Sequence, residues 1–233
     1  MKCLKCGGIG CYECDGTGEY EPFDADIELD KLDEVLGEFP MPEVKLVSIT
    51  PNYKELLMLA CSKPYGKNVS LKGLKHIIEA GHLSVLEHCY ASFEVKCSVR
   101  VLGQLTRHRH LSFTCQSARG REFDTFVEPS LAKPVDLSLH TVGDVYRHKI
   151  WAGVPFEEAA YYLPQGIETN IVVTGNFRAW FEYLPKRMCK RAMPEHRQLA
   201  LAIHEILKKE APEVFELCRM NCENCKERSC EFQ

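Results

Sequence analysis

The sequence predicts an α/β body of the α+β type, and three observations lead there. The 233-residue chain is 45% hydrophobic and 27% charged, the balance of a compact soluble protein that buries roughly 70% of its unfolded surface without needing disulfides. Helical and strand periodicities alternate along the chain. A ten-residue run from 90 to 99 alternates apolar and polar residues as a strand with one wet face requires. Collagen-like and low-complexity disordered classes are excluded. No apolar run approaches the ~20 residues that span a bilayer, and the start Met1-Lys2-Cys3-Leu4 lacks an apolar h-region, so the expectation is a cytoplasmic protein with no membrane partner.

The elements follow in order. Residues 53–61 carry apolar side chains at helical spacing, and Ser70 reads as the N-cap of a helix over 71–80 that Gly81 stops. In the 90–99 strand, Ala91, Phe93, Val95, Cys97 and Val99 form the dry face, alternating with Ser92, Glu94, Lys96 and Ser98. A short apolar segment, 99–106, follows. Residues 171–174 are a second β-rich run ended by Gly175-Asn176, and Asn176 is placed to cap a helix over 177–184. The clearest amphipathic helix is 198–209, with Lys208 and Lys209 in its last turn, where they favour the macrodipole.

Charge and cysteine divide the chain. Between Asp15 and Glu38 lie ten acidic residues and one basic, whereas residues 39–233 hold 22 acidic and 26 basic. Four of the 13 cysteines fall in the first fourteen residues and four in the last sixteen. The expected organisation is therefore a zinc knuckle at 1–18, an acidic linker at 19–43, a body at 44–217 and a cysteine-rich tail at 218–233. Cys3, Cys6, Cys11 and Cys14 make two CxxC pairs, each followed by glycines that allow the tight turns needed to aim sulfurs at one ion. Structural zinc is the expectation, with free thiols or a redox pair as the alternative. The tail cysteines Cys218, Cys222, Cys225 and Cys230 are less specific; they suit a second zinc or a local cross-link. The five between are read as core residues. The acidic run argues against a nucleic-acid backbone as partner.

Chemistry concentrates in two basic clusters. Residues 107–121 contain Arg107, Arg109, Arg119 and Arg121, two imidazoles, and the hydroxyl and amide side chains of Ser112, Thr114, Gln116 and Ser117. Guanidinium forks bind phosphate, and Ser or Gln can read a sugar or base edge, so the set suits a nucleotide; a solvated basic face is the bland alternative. The second cluster holds Lys186, Arg187, Lys190 and Arg191. Arg187 and Arg191, four apart, would share one helical face, as a site or as an ordinary surface helix. His82 and Ser84 follow the helix stop at Gly81, where polar groups often meet a ligand.

Arg107-His108-Arg109, seven residues, then Ser117-Ala118-Arg119 resembles the RHR-x7-S-x-R signature of the flavin-dependent thymidylate synthases. Further motifs in compatible order extend the resemblance: Gly81-His82 with Ser84 and Glu87-His88, Gln104, Leu163-Pro164, Asn176 with Arg178, and Arg187 with Cys189, Arg191-Ala192 and Glu195. Together they cover most of 44–215. The resemblance implies a twisted, mainly antiparallel sheet flanked by long helices, and a homotetramer whose active sites draw on several subunits. It also implies FAD as cofactor, with NADPH and methylenetetrahydrofolate as co-substrates for turning dUMP into dTMP. His82, Ser84, Arg107, His108, Arg109, Asn176 and Arg178 would then contact FAD, and Gln104, Arg107, Gln116, Ser117, Arg119 and Arg187 the nucleotide. Arg187 would be the catalytic group, a fixed cation stabilising charge that develops on the pyrimidine. The N-terminal CxxCxGxG pair resembles the zinc domain of J-domain chaperones.

The chain departs from the family pattern in places. Ala160 stands where an arginine usually meets the substrate phosphate, Gly120 replaces a tyrosine, Cys115 replaces an acidic or amide residue near the flavin, and Pro194 is expected to bend or end a helix. Arg121 or Lys190 could replace the missing phosphate contact. These departures leave a related pyrimidine nucleotide, or a non-catalytic zinc-bearing nucleotide-binding protein, as alternatives.

Overall fold

The computed structural model describes residues 42–127 and 139–220, together with 222, 225, 226 and 230. Four strands, β1 (Val44–Ile49), β2 (Tyr90–Ser98), β3 (Leu111–Cys115) and β4 (Glu168–Asn176), form one sheet in the order β1-β2-β4-β3. Every neighbouring pair is antiparallel. The dry face of β2 is the expected one through Cys97, since Ala91, Phe93, Val95 and Cys97 are all buried. Val99 is not on it. Ser98 ends the strand by accepting a hydrogen bond from Val101 N at 3.1 Å, which starts helix α3 (Val99–Leu105) in what the sequence suggested was a plain apolar segment.

Before β2 come α1 (Tyr53–Tyr65) and α2 (Leu71–Glu79). Gly66 closes α1 with φ near +60°, a conformation glycine adopts without a Cβ penalty. Ser70 caps α2 as expected, its Oγ accepting from Gly73 N at 3.3 Å. Helix α4 (Leu139–Trp151) and the short α5 (Phe156–Ala159) pack around Tyr146 and Ile167 in a small second core.

Strand β4 runs past the expected stop at Gly175. A Cβ there would meet Cδ2 of Leu111, its partner on β3, at 2.3 Å, so glycine leaves room for that side chain. Asn176 then caps α6 (Phe177–Met188), its Oδ1 accepting from Ala179 N at 2.7 Å. Pro185 lies inside α6 and gives no N–H to Phe181 O; the Cys218 thiol donates to that carbonyl instead, at 3.5 Å. Pro194 neither bends nor ends a helix. It opens α7 (Pro194–Glu210), where the missing N–H costs nothing. The last helix among the described residues, α8 (Pro212–Phe215), is tied to α1 by the Tyr53–Glu213 hydrogen bond and the Lys54–Glu213 ion pair of 2.7 Å.

The main core lies between the sheet and α6 and α7. Trp180 stacks edge-on to Phe93 and donates its indole N–H to Ala91 O at 3.1 Å. Among the described residues no helix is long and apolar enough to cross a membrane.

Candidate active site

Two helices and one loop assemble the site. Helix α3 carries Gln104 and leads directly into the Arg107-His108-Arg109 loop, which turns into β3. Helix α6 brings Arg187 to that loop across 79 positions of sequence: Arg187 Nε donates to His108 Nε2 at 2.9 Å. Burial, with Arg187 and Lys186 nearby, pushes the His108 imidazole down to about 4. It is therefore neutral at physiological pH, and its Nε2 lone pair serves as the acceptor. The Arg187 guanidinium is held at Nε, while its terminal nitrogens have no partner among the described residues.

Behind this pair lies a buried polar chain. His108 stacks edge-on to Tyr183, ring centroids 4.8 Å apart. Tyr183 Oη meets His196 Nε2 at 3.1 Å, and His196 Nδ1 meets Gln104 Oε1 at 3.1 Å. Burial and the nearby Arg187 push His196 down to about 3. Next to it, Glu195 accepts from Ser98 N at 2.7 Å and Ser98 Oγ at 2.6 Å. Burial raises the Glu195 carboxyl, and the two Ser98 bonds act against that rise.

A second constellation surrounds Arg178. A cavity of about 280 Å³ is lined by Glu87, His110, Asn176, Arg178, Ala179 and Glu182. Arg178 Nε donates to Glu182 at 2.9 Å, and its Nη1 donates to Glu87 at 2.6 Å. These two carboxylates fix the guanidinium at the cavity wall and favour its charged form.

The fold thus brings Gln104, His108 and Arg187 into one network, and Asn176 and Arg178 into one cavity. Arg107 and Arg109 are exposed at the loop, their guanidiniums without a partner among the described residues. Ser84 lies in a neighbouring groove of about 580 Å³ with Val85 and Lys63, sharing Glu87 with the Arg178 cavity. His82 precedes this turn and is exposed. Gln116 is fastened through its backbone, N to Asn170 O at 2.8 Å. Ser117 Oγ accepts from Arg119 N, and Arg119 pairs with Glu157 at 3.0 Å on an exposed surface, apart from the Arg187 network. Ala160 is half-buried where α5 passes into a 3-10 turn, and offers no donor.

Sequence reasoning gave no site role to Glu182, Tyr183 or His196, and included Glu87 and His110 only as members of wider clusters. Glu182 had a signal, since it stands four residues after Arg178 on one helix. His196 had none, because its partner Gln104 is 92 positions away.

The knuckle cysteines Cys3, Cys6, Cys11 and Cys14 lie outside the described residues. Among the described residues no three His, Cys, Asp or Glu side chains converge on a metal position. Cys218 is fully buried, and its thiol, pushed up to about 12 by burial, donates to Phe181 O, whereas Cys222 and Cys225 are exposed.

Known proteins of similar sequence point to one family. The profile of the Thy1 family, described as thymidylate synthase complementing protein, matches residues 45–213. The chain is 33% identical over 208 residues to a flavin-dependent thymidylate synthase of Saccharolobus solfataricus, covering 78% of each chain. It is 33% identical over 159 residues to one of Sulfolobus acidocaldarius, covering 64% of this chain and 61% of the relative. To one of Mycobacterium avium it is 34% identical over 180 residues, covering 66% and 72%.

Proposed function

Because the chain belongs to the Thy1 family of thymidylate synthase complementing proteins, we propose that it is a flavin-dependent thymidylate synthase. It converts dUMP to dTMP with FAD, methylenetetrahydrofolate and NADPH. The observation that carries this reading is Arg187, a permanent cation anchored at one nitrogen on a neutral imidazole, with its remaining N–H groups unpartnered among the described residues. Such a group can donate to a pyrimidine carbonyl and stabilise the negative charge that grows there in the transition state. A neutral His108 matters, because an imidazolium would repel the guanidinium it has to hold.

The residues present suit a flavin dinucleotide in kind. Arg107 and Arg109 offer two unpaired guanidiniums for its diphosphate, and Asn176 and Arg178 offer donors in the adjoining cavity. When bound, the flavin supplies hydride and one-carbon transfer. At about 280 Å³ the cavity is smaller than most pockets for drug-sized ligands, so it would house only part of FAD. This supports a homotetramer in which other subunits complete the site. Gln104 and Arg187 would face the nucleotide ring, and Gln116, Ser117 and Arg119, which lie apart from Arg187 within one chain, would reach its sugar and phosphate from a neighbouring subunit of that tetramer. Ala160 removes the usual phosphate arginine; Arg121, unpartnered among the described residues, is the available replacement.

The test is to purify the chain and titrate it with dUMP while recording the visible spectrum. The expected result is a yellow protein whose flavin bands shift with dUMP, together with rescue of a thymidine auxotroph. A colourless protein that cannot be loaded with FAD, and that leaves the auxotroph dependent on thymidine, would refute the proposal.

A further inference from the structure

The first turn of α7 holds α3 at both ends. Glu195 takes both the backbone N–H and the hydroxyl of Ser98, the N-cap of α3, and the next residue, His196, reaches Gln104 near its C-terminus. Met193, immediately before α7, supplies the other contact of the Gln104 amide: Nε2 lies 3.4 Å from its Sδ. A thioether has no proton to give, so the amide nitrogen belongs on the sulfur and the amide oxygen on the imidazole. It follows that His196 Nδ1 carries the proton and donates to Gln104 Oε1. Its Nε2 then accepts from the hydroxyl of Tyr183, which is buried.

We infer that His196 is a positioning residue: through its Nδ1–H it fixes which edge of the Gln104 amide faces the nucleotide. This inference rests on the reading of Gln104 as a nucleotide contact. The terminal torsion of a glutamine is broad and nearly two-fold, so without the imidazole the amide can turn over and exchange a donor for an acceptor. A pyrimidine edge is an ordered set of donors and acceptors, and the wrong amide face meets it with like groups. The sulfur is a weak acceptor, so a nucleotide carbonyl can take an amide N–H from it at little cost. Tyr183 serves both sides of the site, since its ring also packs against His108, the support of Arg187.

Two variants separate orientation from packing. In His196→Asn the amide nitrogen can take the place of Nδ1 and keep the donor to Gln104; in His196→Gln a polar atom remains only near Nε2, towards Tyr183. Calorimetric titration of the full-length, FAD-loaded protein with dUMP should show binding weakened about three- to tenfold in His196→Gln and changed by less than about twofold in His196→Asn. KM for dUMP should follow, with kcat nearly constant. In a Gln104→Ala background the difference should vanish. Equal behaviour of the two variants, or a difference that persists without Gln104, overturns the inference while dUMP binding by the parent protein stands. A parent protein that binds no dUMP overturns the functional reading, and this one with it. Nitrogen-15 NMR of histidine-labelled protein gives a readout without ligand: a neutral Nδ1–H tautomer of His196 at pH 6 is expected, and an Nε2–H tautomer or an imidazolium is contrary to it.

Discussion

Arg187 is charged at any pH the protein meets, so what the fold controls is its direction. A single bond from Nε to a neutral imidazole sets that direction and leaves the fork free. Arg187→Ala is expected to retain flavin but to lose nucleotide-dependent flavin oxidation by about ten- to a hundredfold, the worth of one or two charge-assisted hydrogen bonds. Rapid-mixing absorbance measures this; unchanged oxidation would remove Arg187 from its role. Keeping His108 and His196 neutral has a consequence for stability. Both imidazoles protonate near 6.5 in the unfolded chain and only near 4 and 3 in the folded one. The unfolded state therefore binds more protons between these limits, and stability is lost as pH falls from about 6.5 towards 4. The Tm should drop across pH 7 to 5, and less steeply in His196→Asn; parallel slopes for the two proteins would contradict this account of His196. At this scale the sequence exposed the donors clearly, because four arginines and two histidines crowd residues 107–121. It could not expose their supports. The partners of His108 and Gln104 lie 79 and 92 positions away, and no local pattern encodes such a pairing.

Among the elements, β2, α2 and the start of α6 were legible because the signal is local: alternation for the strand, Ser70 and Asn176 for the caps. Helix α3 was not. Seven residues with apolar side chains at both helical and strand positions give too short a window for periodicity. Tertiary contact decides its ends, through Glu195 on Ser98 and His196 on Gln104. Pro194 misled for a related reason, since a proline interrupts a helix or opens one according to what precedes it, and here Met193 is the N-cap. Glu195→Ala should destabilise the protein by about 2–3 kcal/mol, because it strands the buried Ser98 N–H and frees the N-terminus of α3. Urea unfolding followed by circular dichroism checks this, and a midpoint equal to that of the parent would show that the clamp carries no load. Gln104 should also lose order in that variant, so dUMP binding should weaken alongside stability.

For the whole molecule, a net charge of −4 and 13 cysteines were poor guides until divided by position. The negative charge belongs to residues 15–38, and the remainder is basic enough to attract an anionic nucleotide and a dinucleotide cofactor. Cys218 sits in the core as the donor that satisfies Phe181 O, so sequence adjacency to Cys222 and Cys225 was a poor guide to its environment. We propose that Cys3, Cys6, Cys11 and Cys14 hold one structural zinc apart from the reaction. Elemental analysis should find one zinc per chain, lost in Cys3→Ser/Cys6→Ser with flavin content unchanged; zinc retained in that variant, or flavin lost with the metal, would contradict it. The central claim is that this chain methylates a pyrimidine nucleotide through a flavin. Its most direct test is to incubate purified protein with dUMP, methylenetetrahydrofolate and NADPH, with and without FAD, and to quantify the nucleotide products by mass spectrometry. The account predicts dTMP only in the presence of FAD, formed about ten- to a hundredfold more slowly by Arg187→Ala. Unmethylated dUMP in every reaction of a folded, FAD-loaded protein would contradict it.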